Sequence, residues 1–291
     1  MDEITLKALA KINLGLDVVR RREDGYHEVR MIMQTIHLYD LLEIQKIREP
    51  GIQIVSNLSF LPVNENNLVY KAARLLQEEF ALTDGISVKL TKRIPVAAGM
   101  AGGSTDAAAM LYAMNQLYDL GLSRRELMKR GGQIGADVPY CLMRGTALAE
   151  GIGEKLTQLP PMIKCPVLIA KPSISVSTRF VYQNLKLDEQ TNHPDIDALM
   201  KDIREKDFDG VCAHMGNVLE SVTIPNYPVI AEIKQQMMRS GAKASMMSGS
   251  GPTVFGLFED GETAKRALRE MKRSGLAKQV YLTTIYNNRR K

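Results

Sequence analysis

A glycine-rich stretch, PVAAGMAGGSTDAAA, runs from Pro95 to Ala109 and joins a strand pattern to a helix pattern. Glycines let the backbone approach a ligand closely, and the first turn of a helix presents unpaired N–H groups with a partial positive charge. These features predict a phosphate cradle, in which the hydroxyls of Ser104 and Thr105 bond phosphate or a magnesium-bound water. Taken by itself, the stretch equally fits a tight turn between strand and helix.

The stretch differs from the best-known phosphate-binding motifs. No lysine follows Gly103, as the Walker A motif GxxxxGK[ST] requires, and GMAGG does not supply the GxGxxG of dinucleotide-binding folds. The chain also lacks the HRD and DFG sequences of protein kinases. We therefore expect a different class of nucleotide-binding loop.

Two charged residues could perform acid–base chemistry beside a phosphate. Asp137 lies between Gly135 and Pro139, in a turn that can point its carboxylate inward, although an aspartate there is also an ordinary turn or helix-capping residue. Lys11 lies among small and apolar strand residues, where a buried ammonium needs a partner; a lysine that extends to the surface is the alternative. Asn13, two residues further on, shares the strand face of Lys11.

The elements that must position these residues follow from the apolar periodicity. In the first half of the chain, strands are predicted at residues 4–19, 29–38, 40–47, 51–56 and 85–95, and helices at 65–80, 104–118 and 123–132. The third helix begins with Ser123 as N-cap and Glu126 in a capping box, and it is expected to stop at Gly131–Gly132.

A proline-rich segment at residues 159–166 is the best linker candidate and divides the chain into predicted domains 1–160 and 161–291. Beyond it, strands are predicted at 167–170, 242–247, 253–258 and 279–286, and helices at 177–185, 196–207, 211–220, 227–241 and 262–275. This order predicts an α+β fold with an antiparallel sheet and helices on one face.

The composition narrows the function classes. The 291 residues are 45% apolar, enough for about two domains. The net charge of +5 comes from scattered basic residues, which indicates solvated faces and a mild preference for anionic small molecules. Three cysteines without CxxC spacing argue against a disulfide framework or zinc site and fit a reducing compartment. With no signal-peptide pattern and no apolar run of about 18 residues, we expect a soluble cytoplasmic protein.

The motifs and their order resemble those of the GHMP kinases, the superfamily of galactokinase, homoserine, mevalonate and phosphomevalonate kinases. The glycine stretch matches the family pattern P-x-x-x-G-L-x-G-S-S, with Met100 for the commoner leucine and Thr105 for the commoner second serine. ALAKINLGLDV and KASMMSGSGPTVFGLF match the two other family motifs. IGADVPYCL and RREDGYHEV are most similar to the branch that phosphorylates cytidine-diphosphate methylerythritol, and the similarity runs nearly end to end.

The resemblance implies a two-domain GHMP kinase fold, with an N-terminal β-α sheet domain of the ribosomal-protein type and a ferredoxin-like α+β C-terminal domain. It implies ATP-dependent phosphorylation of the 2-hydroxyl of cytidine-diphosphate methylerythritol, giving the 2-phosphate and ADP, in the non-mevalonate isoprenoid precursor pathway. Mg²⁺ would accompany the nucleotide. We expect no nucleic-acid or membrane partner, and a monomer or weak homodimer.

The resemblance also implies roles for individual residues. Asp137 would be the catalytic base, and Lys11 would keep that carboxylate ionised and lower the pKa of the acceptor hydroxyl. The residues implied to bind the acceptor, with Asn13 orienting it and the rest around cytidine, are Asn13, Tyr26, His27, Thr178 and Tyr182. Those implied to bind the nucleotide are Pro95, Val96, Ala97, Ala98, Gly99, Met100, Ala101, Gly102, Gly103, Ser104 and Thr105, with Asn67, Leu68 and Lys92 on the adenine side.

The sequence leaves two interpretations open for Asp106 and two for the SGSGP sequence. Asp106 is either a magnesium ligand or a partner of the helix dipole. The SGSGP sequence, Ser248 to Pro252, either closes over the substrate diphosphate or the phosphate loop, or is a plain turn.

Two rival functions also fit parts of the sequence. Another GHMP kinase would act on mevalonate, homoserine or a sugar, but DGYH and Tyr182 argue against it, and a substrate panel would decide. An RNA-binding protein is the second rival, because the family's N-terminal fold is shared with ribosomal proteins. It would need clustered lysines interleaved with exposed aromatic residues, which this chain lacks.

Overall fold

The computed structural model describes residues 2–189 and 191–288. Packing groups the chain into two units that interleave along the sequence. The first unit holds the residues up to 10 together with 38–96 and 101–143, and the second holds 11–37, 97–100 and the residues from 144 onward. Two long strands and the glycine stretch therefore pass through both units, and the domain boundary after residue 160 stays a prediction.

The described residues form eleven strands and ten helices. The strands are β1 (Glu3–Arg21), β2 (His27–Ile47), β3 (Ile52–Ser56), β4 (Gly85–Thr91), β5 (Thr146–Gly151), β6 (Lys155–Gln158), β7 (Pro166–Lys171), β8 (Gly216–Asn217), β9 (Ala244–Met247), β10 (Val254–Leu257) and β11 (Gln279–Thr284). The helices are α1 (Leu68–Glu79), α2 (Gly102–Leu117), α3 (Arg124–Ile134), α4 (Val138–Met143), α5 (Thr178–Asn184), α6 (Ile196–Glu205), α7 (Phe208–His214), α8 (Glu220–Asn226), α9 (Val229–Arg239) and α10 (Gly261–Ser274).

In the first unit, a short sheet is combined with four helices. The second half of β2 pairs antiparallel with β4, with Leu42 opposite Leu90 and Ile44 opposite Val88, and β3 adds to β4 in parallel. These four side chains are buried while Lys89 between them is exposed, which is the period of two expected of a strand. Helix α2 packs against α1, α3 and α4 and is buried along most of its length. The helix that follows the glycine stretch is therefore a core helix with a fixed start.

In the second unit, four strands form an antiparallel sheet in the order β11–β7–β10–β9. The central strands β7 and β10 consist almost wholly of buried apolar residues, and α9 and α10 pack on the sheet. The same unit contains the pairing of β1 with β8, which is parallel at Gly15–Gly216 and Leu16–Asn217, and of the first half of β2 with β5. The predicted α+β class is confirmed.

Four predicted boundaries were wrong. The strand predicted at 85–95 ends at Thr91 as β4. Strand β2 continues through residue 39 because the carboxylate of Asp40 is buried and paired. Helix α3 continues to Ile134. A Cβ on Gly131 would lie 2.8 Å from Val138 Cγ1, so Gly131 is needed for the close packing of α4 and does not end α3. Residues 211–220 do not form one helix, since Gly216 and the next residue pair with β1 as β8. Strands β5 and β6 and helix α4 were not predicted.

No helix in 2–189 or 191–288 combines the length and the apolar character that crossing a membrane would require.

Candidate active site

The glycine stretch reaches α2 through three residues with a left-handed backbone. Ala97, Gly99 and Ala101 have φ angles of 51°, 71° and 55°, a conformation that costs an L-residue with a side chain roughly 1–2 kcal/mol. Ala101 is the N-cap of α2, and in the described part of the chain no side chain caps this helix and no acidic residue lies in its first turn. The first N–H groups of α2 are therefore available to an external anion.

The two hydroxyls at this helix start have different surroundings. Thr105 is buried, and its Oγ1 donates a hydrogen bond to the carbonyl of Leu9 at 2.8 Å. Ser104 is half-buried. The hydroxyl of Thr105 thus anchors α2 to β1, and of the two only Ser104 lies where it can reach a ligand.

The predicted nucleotide residues of α1 lie beside the start of α2. A Cβ on Gly103 would be 3.5 Å from Leu68 Cδ1, so these two residues are neighbours. Asn67 is the N-cap of α1: its Oδ1 accepts the N–H of Val69 at 2.9 Å, and its Nδ2 donates to the carbonyl of Pro62 at 2.7 Å. The Asn67 side chain therefore acts within the protein, where it positions Leu68.

Lys92 lies in a buried ionic cluster with Asp40 and Asp106. Its Nζ donates to Asp106 Oδ2 at 2.6 Å and to Asp40 Oδ2, and all three side chains are at most 4% exposed. The Lys92 ammonium is buried inside the first unit. The predicted contact of Lys92 with adenine therefore does not involve the ammonium group. The Asp106 carboxylate is buried, pairs with Lys92 and lies beyond the first turn of α2, so the structure supports neither a helix-dipole partner nor a magnesium ligand. Asp40 was missed, although an acidic residue amid an apolar strand pattern is a signal of the same kind as Lys11.

The cluster shifts the pKa values of its members in a way that keeps the lysine charged. Burial raises the pKa of the Asp106 carboxyl well above its usual range; the charge of Lys92 opposes this and that of Asp40 adds to it. Burial lowers the pKa of Lys92, but the charges of Asp106 and Asp40 outweigh it and bring that pKa above its ordinary value. Lys92 is therefore protonated at neutral pH.

In the second unit, Lys11 and Asn13 lie in contact on one face of β1. Lys11 is 5% exposed, and its Nζ donates to Asn13 Oδ1 at 2.8 Å. Its backbone N–H donates to the carbonyl of Met100 at 3.2 Å, which connects β1 to the glycine stretch. Asn13 is fully buried, and its Nδ2 lies 3.3 Å from Met31 Sδ. The hydrogen bond to Asn13 uses one of the three donors of the buried Lys11 ammonium, so further donors can bind an anion.

The SGSGP turn contacts the glycine stretch at Gly99. Ser248 Oγ donates to the carbonyl of Gly99 at 2.9 Å, and a Cβ on Gly99 would lie only 2.1 Å from the Ser248 carbonyl oxygen. Asn217 holds the turn in place, since its Nδ2 donates to the carbonyls of Met247 at 2.9 Å and Gly249 at 2.8 Å. Asn217 was missed, because GNVLE carries no pattern that the periodicity could reveal.

The predicted cytidine residues come together in part. The rings of His27 and Tyr182 lie 5.1 Å apart between centroids and are tilted by 46°. Thr178 Oγ1 lies 2.8 Å from Ser250 Oγ, which connects α5 to the SGSGP turn. Tyr26 is 61% exposed, so its ring is open to a ligand and does not pack in the core.

Asp137 is half-buried in the turn between α3 and α4, in the first unit. Its carbonyl accepts the N–H of Cys141 at 3.0 Å, and the N–H of Val138 donates to Gly135 O at 3.1 Å, so the turn is well defined. Lys11 belongs to the second unit. The catalytic pairing of Lys11 with Asp137 therefore stays a prediction.

Two family models match separate regions of the sequence. The model of the GHMP kinases N-terminal domain matches residues 67–145, and that of the GHMP kinases C-terminal domain matches residues 199–277. The chain is also 58% identical over 286 residues to a 4-diphosphocytidyl-2-C-methyl-D-erythritol kinase of Lachnospira eligens, which covers 98% of this chain and 99% of that one. This chain belongs to the GHMP kinase family.

Further comparisons extend the likeness of this GHMP kinase along its whole length. A 4-diphosphocytidyl-2-C-methyl-D-erythritol kinase of Lachnoclostridium phytofermentans is 54% identical over 289 residues, with 99% of each chain covered. A crystal structure of 4-(cytidine 5'-diphospho)-2C-methyl-D-erythritol kinase superposes with a TM-score of 0.85 at 31% identity and covers 98% of this chain and 100% of that one. The predicted family and the predicted two-domain GHMP kinase fold are confirmed.

Proposed function

We propose that this GHMP kinase transfers the γ-phosphoryl group of ATP to the 2-hydroxyl of 4-diphosphocytidyl-2-C-methyl-D-erythritol, giving the 2-phosphate and ADP, in the non-mevalonate route to isoprenoid precursors. The observation that carries this assignment is the 58% identity to a kinase of that name over 98% of the chain. Other relatives of the same name are 47% to 54% identical over almost the whole chain. The function predicted from the motifs agrees with these names.

The start of α2 is where we place the phosphates of ATP. Its first N–H groups have no side-chain cap among the described residues, and the left-handed residues of the glycine stretch give the backbone the concave form that binds anions. Ser104 adds a hydroxyl, and Leu68 beside Gly103 offers an apolar surface for adenine. These contacts support ATP as the phosphoryl donor.

The proposed chemistry needs a proton acceptor and positive charge around the transferred group. The acceptor hydroxyl oxygen attacks the γ-phosphorus, the bond to the bridging oxygen of the β-phosphate breaks, and the hydroxyl proton passes to the carboxylate of Asp137. Lys11 supplies a buried ammonium that stabilises negative charge on this carboxylate and on the attacking oxygen. Asn13 receives one hydrogen bond from Lys11 and so fixes its orientation.

Recognition of the acceptor is assigned to the aromatic residues of the second unit. His27 and Tyr182 form a contacting pair, with Tyr26 exposed on the same strand–turn segment as His27. Stacking of cytosine on such rings contributes about 1–3 kcal/mol per base. Thr178, fixed by Ser250, places a hydroxyl beside the SGSGP turn.

Mg²⁺ is proposed as the companion of the nucleotide, where it would neutralise charge on the β- and γ-phosphates. No cluster of three or more His, Cys, Asp or Glu suited to a metal ion occurs within 2–189 and 191–288, so we expect the phosphate oxygens to provide much of its coordination. We also propose that the protein is cytoplasmic and is a monomer or a weak homodimer. Sedimentation of the purified chain tests the oligomeric state.

A coupled assay of ADP release tests the proposed function. Purified protein is given ATP, Mg²⁺ and one acceptor at a time: 4-diphosphocytidyl-2-C-methyl-D-erythritol, mevalonate, homoserine or galactose. We expect turnover with the cytidine compound alone, and a new monophosphate resonance at its 2-position in the phosphorus NMR spectrum. Turnover with another acceptor, or none with the cytidine compound, would overturn the assignment.

A further inference from the structure

We propose that Asp40, Lys92 and Asp106, termed the loop clamp, hold the glycine stretch in the shape that binds ATP phosphates. The proposal rests on the proposed function, since it takes the start of α2 to be the ATP site. None of the three side chains is exposed enough to reach a nucleotide at the surface. They are therefore positioning residues, which act on ATP through the backbone.

The loop clamp fixes the chain where it enters the glycine stretch. Asp40 Oδ1 accepts the backbone N–H groups of Arg93 and Ile94, the latter at 2.8 Å. The backbone of Lys92 is held as well, because Asn57 Oδ1 accepts its N–H at 2.7 Å and Asn57 Nδ2 donates to its carbonyl at 3.1 Å. Three consecutive residues before the stretch are thus held by buried or partly buried hydrogen bonds.

The loop clamp also fixes the chain where it leaves the stretch. Asp106 lies in the second turn of α2, and its Oδ2 accepts a hydrogen bond from Lys92 Nζ at 2.6 Å. A Cβ added to Gly102 would lie 3.3 Å from the same Nζ, so the ammonium is next to the first residue of α2. Because Nζ also binds Asp40, one lysine connects the entry of the stretch to its exit.

Stability alone does not account for this cluster. Replacing a buried ion cluster by apolar residues of similar volume is often neutral or stabilising, and Asp106 Oδ1 is buried without a hydrogen-bond partner in the described part of the chain. Charged groups form hydrogen bonds of defined direction, which apolar groups do not. The glycine stretch needs its two ends held in place, because Ala97 and Ala101 adopt a left-handed backbone conformation that they would leave if those ends were released.

Binding measurements on Asp106→Asn test the proposal. This change leaves a charge-balanced Asp40–Lys92 pair, and Asp106→Ala serves as a second variant that places no amide donor against the Lys92 ammonium. Calorimetry gives the Kd of ATP with Mg²⁺ and, separately, the Kd of 4-diphosphocytidyl-2-C-methyl-D-erythritol. We expect the Kd of ATP to rise about 10- to 100-fold, which is the effect of losing one backbone hydrogen bond to a charged phosphate, and the Kd of the cytidine compound to stay at the wild-type value.

Glu79→Gln is the matched control. It removes a carboxylate that pairs with Arg130 and joins α1 to α3 in the same unit, away from the glycine stretch. We expect it to lower Tm without a change in either Kd. Asp106 variants that bind ATP as Glu79→Gln does, or that lose both ligands together, would overturn the loop clamp while the proposed function stands. A wild-type protein that binds no ATP would refute the proposed function and the loop clamp with it.

Discussion

Position 99 imposes two constraints that an alanine cannot meet, and experiment can distinguish the effect of one from that of the other. Its φ of 71° costs an alanine roughly 1–2 kcal/mol. In addition, a Cβ would lie 2.1 Å from the carbonyl oxygen of Ser248, so that the two backbones must move apart by more than about 1 Å to reach ordinary contact. We therefore expect Gly99→Ala to destabilise the fold by more than the backbone strain and to displace the phosphate loop.

Gly275 supplies a control matched for strain. It has a φ of 70°, ends α10, and a Cβ there would meet nothing within 4 Å. Gly275→Ala should lose roughly 1–2 kcal/mol of unfolding free energy in urea titration and keep its kcat/KM for ATP. Gly99→Ala should lose more stability, and its kcat/KM for ATP should fall about 10²-fold. Equal stability and activity in the two variants would refute the argument from the Ser248 contact.

Three further predictions concern the second unit. Tyr182→Ala should raise the KM for the cytidine substrate roughly 5- to 150-fold without changing the KM for ATP; an effect on ATP alone would show that the two sites are exchanged. Burial, with the charge of Arg21, lowers the pKa of His27, so this ring is neutral at pH 7 and affinity for cytidine should be lost only as the pH falls through that lowered pKa, below about 6.5. A His27→Gln variant with the same pH profile would contradict this. Asn217→Ala should destabilise the protein by about 1–3 kcal/mol in thermal unfolding, because the carbonyls of Met247 and Gly249 lose their donor; wild-type stability would disprove that role.

Local sequence patterns predicted most of the helices and strands, because amphipathic periodicity and helix caps depend on residues that are close together in the sequence. The capping box of Ser123 and Glu126 is present as expected, and the strand before the glycine stretch begins at Gly85 as predicted, although it ends at Thr91 and not at Pro95. The prediction failed where a distant partner decides the structure. Asp40 continues a strand only because Lys92, 52 residues away, neutralises it.

The candidate site shows the same division. The glycine stretch and the contact of Lys11 with Asn13 follow from spacing along one strand or one loop. The interior position of Thr105 depends on Leu9 of β1, 96 residues earlier in the chain. The ion pair of Asp106 with Lys92 spans only 14 residues, but the glycine stretch between them carries no periodic pattern that could reveal it. Asn217 could not be recognised, since its importance comes from two carbonyls about thirty residues further on.

We propose that Asp137 and Lys11 act as one unit in phosphoryl transfer, and a double-mutant cycle on kcat tests this proposal most directly. Asp137→Asn, Lys11→Met and the double variant are measured with ATP and the cytidine substrate both saturating. Each single change should lower kcat by at least about 10²-fold, and the double variant should be scarcely worse than either, because residues that act together lose activity non-additively. Losses that multiply fully, or a near-normal Asp137→Asn enzyme, would contradict the claim.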